Sequence, residues 1–148
     1  MAKNLVAKSK SKVGGWKVDL KGTTRRQIWE TIEVPDTDDE GNVVHKRIKV
    51  LFRIPNADEL EEFLGNVTDE NEGRSESEVA YEKMVVFVLD WKGINDMDGN
   101  AIPFSDETLK ALANHIEFSR PVMSRFFMLL SHEGGYITKK AQKKNLGR

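Results

Sequence analysis

Two alternating segments on either side of an acidic turn constrain the fold most. Residues 43–54 place apolar side chains at every second position toward the end of the segment, while residues 27–34 alternate in a similar way. Between them, residues 35–42 (PDTDDEGN) concentrate turn-forming side chains. Successive side chains of a strand point to opposite faces, so this pattern predicts a long β-hairpin with one buried face. The residues expected on that face are Ile48, Val50, Phe52 and Ile54.

The rest of the chain divides around this hairpin. Residues 16–20 (WKVDL) also alternate, and we expect a short strand there. A chain of 148 residues is long enough for one core. We therefore expect one domain over 16–132, with a β-hairpin region at 16–54 and a helical region at 55–132. Flexible basic segments are expected at 1–15 and 133–148.

Helix starts are marked by capping residues. Asn56 precedes an acidic first turn, and Ser105 stands three positions before Thr108, as in a capping box. Ser119, just before Pro121, is a candidate cap for the last helix. The expected buried stripes are Leu60, Phe63 and Leu64, then Leu109, Leu112, Ala113 and Ile116, then Val122, Phe126, Leu129 and Leu130.

Residues 76–92 fit two structures. The run from Met84 to Leu89 is rich in β-branched residues, which suits a buried strand, whereas Glu78, Glu82 and Lys83 suit a helix. Periodicity cannot separate a buried strand from a helix that is apolar on most sides. We favour the helix, which gives an α+β fold with the hairpin region beside a C-terminal bundle of about four helices.

The pattern of polar residues supports no catalytic, metal or cofactor site. The chain has no cysteine, and its three histidines lack a paired-ligand spacing. Aligning Gly41 or Gly99 with the sixth position of a calcium loop puts Arg47 or Ser105 where a bidentate glutamate is needed. No nucleophile elbow, phosphate loop or dinucleotide motif is present. We therefore expect a protein that is not an enzyme and has no cofactor.

Hydropathy and charge limit the location and the kinds of partner that we expect for this chain. The longest apolar run, residues 84–89, is far shorter than the roughly 20 residues that cross a bilayer, so we expect a soluble, unexported, cytoplasmic protein. Lysines concentrate at both ends, and acids at residues 58–78. Because the basic ends lack interleaved aromatic residues, we do not expect nucleic acid as a partner.

The segment DWKGINDMDGNAIPFSDETLKAL, with the helices around it, resembles the tail assembly chaperones of long-tailed (siphovirus-type) bacteriophages and prophages. The resemblance covers about residues 56–132, and the hairpin region departs from the simplest members. Six of the matching residues also predict a structural joint, with apolar anchors on either side of a glycine-permitted turn: Trp91, Gly93, Gly99, Pro103, Phe104 and Ser105. The other matching positions are Asp96, Asp98, Leu109, Leu112 and Pro121.

The resemblance implies a protein that binds the tape-measure protein and helps recruit tail tube protein subunits in the host cytoplasm, as a possible homo-oligomer. Residues 126–130 (FFMLL) are apolar on every side of a helix, which suits either partner contact or a central place in the core. The candidate contact residues are Met123, Phe126, Phe127, Met128 and Leu130. Alternative functions are a tail component retained in the virion and a small nucleic-acid-binding regulator.

Overall fold

The computed structural model describes residues 14–21, 26–64 and 73–133, and within these ranges three strands and four α-helices form an α+β fold. This confirms the predicted fold class. A single π-helical turn, Leu129–Glu133, extends the last helix. In chain order the elements are β1 (Gln27–Thr37), β2 (Val43–Arg53), α1 (Ala57–Leu64), α2 (Glu76–Phe87), β3 (Val88–Lys92), α3 (Asp106–Ala113) and α4 (Ile116–Met128).

The three strands form one antiparallel sheet in the order β1-β2-β3. Ile32 on β1 lies opposite Ile48, and Val50 on β2 lies opposite Trp91 on β3. The face that carries these residues is covered by the helices, and the four β-region residues predicted for it are all buried. The long hairpin predicted from the alternation is therefore confirmed, with β1 at one edge of the sheet.

Aromatic rings join the sheet to the helices. Phe126 on α4 stacks on Phe87 of α2, with ring centroids 3.7 Å apart and planes only 5° from parallel. The same ring lies 5.1 Å from Phe52 on β2 and 5.3 Å from Phe63 on α1. One aromatic cluster thus connects three helices to the central strand.

Two of the predicted helix caps are present with their reciprocal hydrogen bonds. The backbone N–H of Glu59 donates to Asn56 Oδ1 at 2.8 Å, and the N–H of Asn56 donates back to Glu59 Oε1 at 2.9 Å. Ser105 and Thr108 exchange the equivalent bonds at 3.0 and 2.9 Å. These caps fix the first turns of α1 and α3, because each supplies partners for N–H groups that a helix leaves unsatisfied.

The structure corrects the interpretation of residues 76–92, which are not one helix. A helix runs from Glu76 to Phe87, and the chain then becomes extended at Val88 and joins the sheet. The Arg53 side chain donates to the carbonyl of Val86 through Nε at 2.9 Å and Nη2 at 2.6 Å. Arg53 thereby satisfies a carbonyl in the last turn of the helix, while β2 supplies the backbone partners for the new strand. The hydrogen bonds from Arg53 and the pairing with β2 both come from residues distant in sequence, so local propensity cannot predict them.

The start of α4 also differs from the prediction. The helix begins at Ile116, and Ser119 lies buried within its first turns instead of capping it. His115 occupies the capping position, and its side chain makes no capping hydrogen bond. Ile116, predicted in the buried stripe of the preceding helix, is 58% exposed because the chain turns between α3 and α4 just before it.

The N-terminal alternation does not produce a strand in the described structure. Residues 16–20 have no sheet partner, and their apolar side chains are exposed. The predicted basic segments at 1–15 and 133–148 fall almost wholly outside the described residues. Across those residues, none of the helices has the length and apolar character needed to cross a membrane.

Lys83 on α2 is partly buried against α1, and this gives stability a testable pH dependence. Its Nζ donates to the carbonyl of Phe63 at 3.1 Å and lies 5.2 Å from that ring, while burial lowers its pKa from 10.5 to about 8. Between these values the unfolded chain binds more protons than the folded one, so stability should rise with pH. The pKa of Tyr81 is raised by its hydrogen bond to Asp106, so Tyr81 opposes this trend only above its ordinary value of 10.0.

We therefore expect the urea midpoint to increase between pH 7.5 and pH 9.5, and Lys83→Met to lose most of that increase. Chemical denaturation of both proteins at the two pH values measures the difference directly. An equal increase in the variant would assign the pH dependence to other groups.

Candidate binding groove

An open groove lies where the distal part of the hairpin meets the segment after β3 and the start of α4. It encloses about 470 Å³, which is within the range of ligand and peptide sites. We call it the groove throughout. Its lining residues are Val34, Pro35, Asp36, Lys46, Arg47, Ile48, Gly93, Ile94, Asn95, Leu112, Glu117 and Phe118.

The groove combines apolar residues with charges of both signs. Ile48 and Phe118 are buried at its base, while Ile94 and Leu112 are half-buried and present apolar surface to it. Asp36, Lys46, Arg47 and Glu117 are exposed and surround this surface. Such a site suits an apolar side chain or an amphipathic helix whose flanking residues are charged.

Trp91 fixes the wall formed by the segment after β3. Its indole is 5% exposed, and Nε1 donates to the carbonyl of Ile102 at 2.8 Å. The rings of Phe104 and Phe118 meet it edge to face, with centroids 4.9 and 5.8 Å away. The backbone N–H of Ile102 also donates to the carbonyl of Ile94 at 2.8 Å. One buried side chain therefore connects the segment that carries the groove residue Ile94 to the residues before α3 and to α4.

Gly93 lets the chain leave β3 close to β2. Its φ is +89°, a conformation that side chains with a Cβ rarely adopt. A Cβ placed there would lie 3.5 Å from the carbonyl oxygen of Arg47 and 3.6 Å from Cα of Ile48. The contact distances are ordinary, so the requirement for glycine comes from the backbone angle. The six residues predicted for the joint run from Trp91 on β3 to Ser105, which caps α3.

The two acidic loops have the same geometry, in keeping with their similar sequences, which are DDEGN at 38–42 and DMDGN at 96–100. In each loop the leading aspartate accepts backbone N–H bonds from the residues two and four positions later. The distances are 2.9 and 2.8 Å to Asp38, and 2.9 and 2.9 Å to Asp96. The N–H of Asn42 is the main reason that the pKa of Asp38 is lowered. These carboxylates close turns, with Gly41 or Gly99 at positive φ.

The same hydrogen bonds give the leading aspartate of each loop a structural role in closing its turn. In each loop, Oδ1 of the leading aspartate accepts hydrogen bonds from backbone N–H groups of the same loop. This carboxylate therefore has its hydrogen-bond partners within the loop. In the described parts of the chain, no three His, Cys, Asp or Glu side chains come together in a way that could hold a metal.

An ion pair anchors α4 to the edge strand. Arg125 donates to Glu30 Oε1 through Nε at 2.8 Å and Nη2 at 2.6 Å. The Glu30 side chain is on the helix-covered face and only 15% exposed. Because the pair is largely shielded, loss of either partner would leave a poorly solvated charge. It holds together two segments that are 95 residues apart, and so supports the relative placement of hairpin and α4.

The five predicted contact residues are not equivalent in the structure. Phe126 and Leu130 are fully buried in the core, which is a correction, because neither offers a partner any surface. Met123 and Phe127 are half-buried, and Met128 is 39% exposed. For these three residues partner contact stays a prediction. None of the five lines the groove.

The groove itself was missed by sequence reasoning because several segments that are separated in the sequence build it. One signal was nevertheless present in β2. The buried alternation at Ile54, Phe52, Val50 and Ile48 is interrupted at the next inward position, where Lys46 replaces an apolar residue. Lys46 is exposed, so the change marks the point where helices stop covering the sheet and the groove begins.

Comparison with known proteins gives one family. The family model described as YdaY prophage protein matches residues 41–146, from the turn before β2 to near the end of the chain. No curated protein and no solved structure matches the chain. The family match includes β2, all four helices and most of the groove, and begins after β1.

Proposed function

The chain belongs to the YdaY prophage protein family, and from this premise we propose that it is a non-catalytic tail assembly chaperone. In this proposal the groove holds an apolar helical segment of the tape-measure protein in the host cytoplasm. The complex then helps recruit tail tube subunits. The observation that carries the proposal is the open groove, with apolar base and mixed-charge surround, in a chain of prophage origin.

The groove has the properties that such a partner requires. A long helical protein that has not yet been enclosed by a tail tube exposes apolar stripes, which need temporary cover. Ile94 and Leu112 offer apolar contact, while Lys46 and Glu117 can meet flanking charges of opposite sign. A groove of limited size and polar surround favours a reversible contact over permanent burial, as an assembly factor needs.

The segment from Trp91 to Ser105 supports the same proposal. It carries the residues that resemble tail assembly chaperones, and it forms one wall of the groove through Gly93, Ile94 and Asn95. The joint residues thus pack the segment that shapes one wall of the groove. This packing role accounts for their sequence pattern without a catalytic role.

Co-expression with the tape-measure protein of the same prophage tests the proposal. We expect the intact chain to increase the soluble fraction of that protein and to copurify with it. Ile94→Glu places a charge in the apolar part of the groove and should reduce copurification at least tenfold. Val85→Glu is the matched control, because Val85 is 42% exposed on α2 and does not line the groove. Thermal unfolding of both variants checks that they remain folded.

Other outcomes would replace the proposal. If the tape-measure protein stays insoluble whether or not the chain is present, the chaperone function is wrong. Detection of the chain in purified phage particles would favour a structural tail component. Binding to DNA with an affinity that falls steeply with salt would favour a nucleic-acid-binding regulator.

A further inference from the structure

In the part of the chain that the structure describes, the helices cover one face of the sheet and leave the other exposed around an apolar centre. The covered face carries Val50 and Phe52, whereas Trp29 and Leu51 lie opposite each other at alternate positions and point away from it. Trp29 is 40% exposed, and Leu51 is half-buried. A tryptophan at the centre of a charged surface is typical of a protein interface. We call this surface the outer face; its residues include Trp29, Thr31, Arg47, Lys49, Leu51 and Lys92.

One end of the outer face is basic. Arg47 and Lys49 lie on β2, and Lys92 on β3 lies opposite Lys49. All three side chains are exposed. Glu33 lies 3.7 Å from Arg47, and Asp90 is half-buried nearer the centre of the face. Lys49 and Lys92 therefore give this end of the outer face a positive charge.

The other end of the outer face meets an acidic helix. Arg53, two residues beyond Leu51 on β2, donates to both carboxylate oxygens of Glu59, at 3.1 and 2.7 Å. This ion pair holds α1 against the end of the sheet and neutralises Arg53. Glu61 and Glu62, in the last turn of α1, are exposed. The two ends of the outer face thus carry opposite charge, with Trp29 and Leu51 between them.

We propose that two copies of this chain pack through their outer faces, around a two-fold axis that crosses the strands near Trp29 and Leu51. Such an axis lies between the two sheets and sets the centre of each face on its own equivalent. It also reverses the strand direction, so the basic end of each copy lies over the acidic end of the other. Two sheets that pack face to face with nearly aligned strands bury the apolar residues between them.

The charge pattern selects both this occupant and this arrangement. An axis parallel to the strands would set the two basic ends together, where like charges repel. An axis across the strands gives each end an oppositely charged partner and removes the Trp29 ring from water. The Lys92 ammonium lies 4.6 Å from the centre of that ring, although β2 separates the two strands, so the ring extends across the face. A nucleic acid would meet the basic end but would be repelled by Glu61 and Glu62.

Sedimentation velocity of the full chain across a concentration series tests the contact. We expect a species of twice the 16.8 kDa chain mass at high concentration, and Trp29→Ser should raise its dissociation constant at least tenfold. Trp16→Ser is the matched control, because Trp16 is 75% exposed and lies outside the sheet, and it should leave the dissociation constant unchanged. Thermal unfolding checks that both variants remain folded. A chain that stays monomeric at all concentrations overturns the proposal, and so does an unchanged dissociation constant in Trp29→Ser.

Charge reversal tests the arrangement with variants that keep the apolar centre. One variant carries Lys49→Glu and Lys92→Glu, and the other carries Glu61→Lys and Glu62→Lys. We expect each variant alone to have a dissociation constant at least tenfold higher than the unaltered chain, because like charges then face each other at both ends. An equimolar mixture should form a one-to-one complex about as tight as the unaltered dimer, since both ends again meet opposite charges.

Two further results would contradict the proposal. The first is a mixture of the two variants that associates no better than either variant alone. The second is binding of a single-stranded oligonucleotide by the monomeric chain that Trp29→Ser removes, which would assign the outer face to nucleic acid. None of the substituted residues lines the groove, so copurification of the tape-measure protein remains an independent measurement of the chaperone proposal.

Discussion

Replacing Trp91 by alanine is expected to lower the free energy of unfolding by about 3–5 kcal/mol. The side chain is buried and touches the rings of Phe104 and Phe118, so its removal leaves a cavity bordered by the residues before α3 and by α4. The carbonyl of Ile102 also loses its hydrogen-bond donor. Urea denaturation at neutral pH, followed by circular dichroism, measures the loss.

Asp98→Asn is the control for this experiment. Asp98 is exposed, and its backbone N–H donates to Oδ1 of Asp96. The substitution changes only the Asp98 side chain and so keeps this bond. The change should therefore stay within about 0.5 kcal/mol. A large loss of stability in Asp98→Asn, or binding of a divalent ion that this substitution removes, would contradict the account of the loop as a turn. Stability close to that of the unaltered chain in Trp91→Ala would contradict the account of the joint.

Features carried by neighbouring residues could be predicted from the sequence. The hairpin follows from alternation around a turn cluster, and the caps at Asn56 and Ser105 follow from side chains that reach their own helix. The cap partners lie three positions apart, and the two strands of the hairpin follow each other in the chain with one short turn between them. Local pattern and final structure then agree, because the tertiary fold has no reason to override them.

Features decided by distant residues could not be predicted in the same way. The change from helix to strand at Val88 depends on β2 as a pairing partner and on Arg53 at the end of α2. The apolar run around it satisfies either structure, since a buried strand and a buried helix need the same composition. The groove is a similar case, because residues 34–36, 46–48, 93–95 and 112–118 meet only after folding.

The N-terminal segment shows a different limit. Alternation at residues 16–20 predicts a strand, but a strand forms only where another strand offers backbone partners. In the described structure residues 16–20 belong to no strand, and the chain turns at Leu20 and Lys21.

The side chains of residues 126–128 in α4 belong either to the core or to a partner-contact surface, and two substitutions separate these alternatives. Phe126→Ala should lower the free energy of unfolding by about 3–5 kcal/mol. Phe126 has no exposed surface and packs against Phe87, Phe52 and Phe63, so its loss opens a cavity where three helices meet β2. Met128→Ser removes a side chain that is 39% exposed, and the expected loss is below about 1 kcal/mol.

Urea denaturation of both variants, together with copurification of the tape-measure protein, gives the decisive comparison. If Phe126 is a core residue, its variant loses stability first, and partner binding falls only as the folded fraction falls. If it is a contact residue, binding falls while the unfolding midpoint stays unchanged, which contradicts its placement in the core. A loss of binding in Met128→Ser at full stability would instead assign the contact to the exposed part of α4. Partner contact through this helix then depends on the side chains that the core leaves free, because a ring enclosed by three others cannot serve both purposes in one conformation.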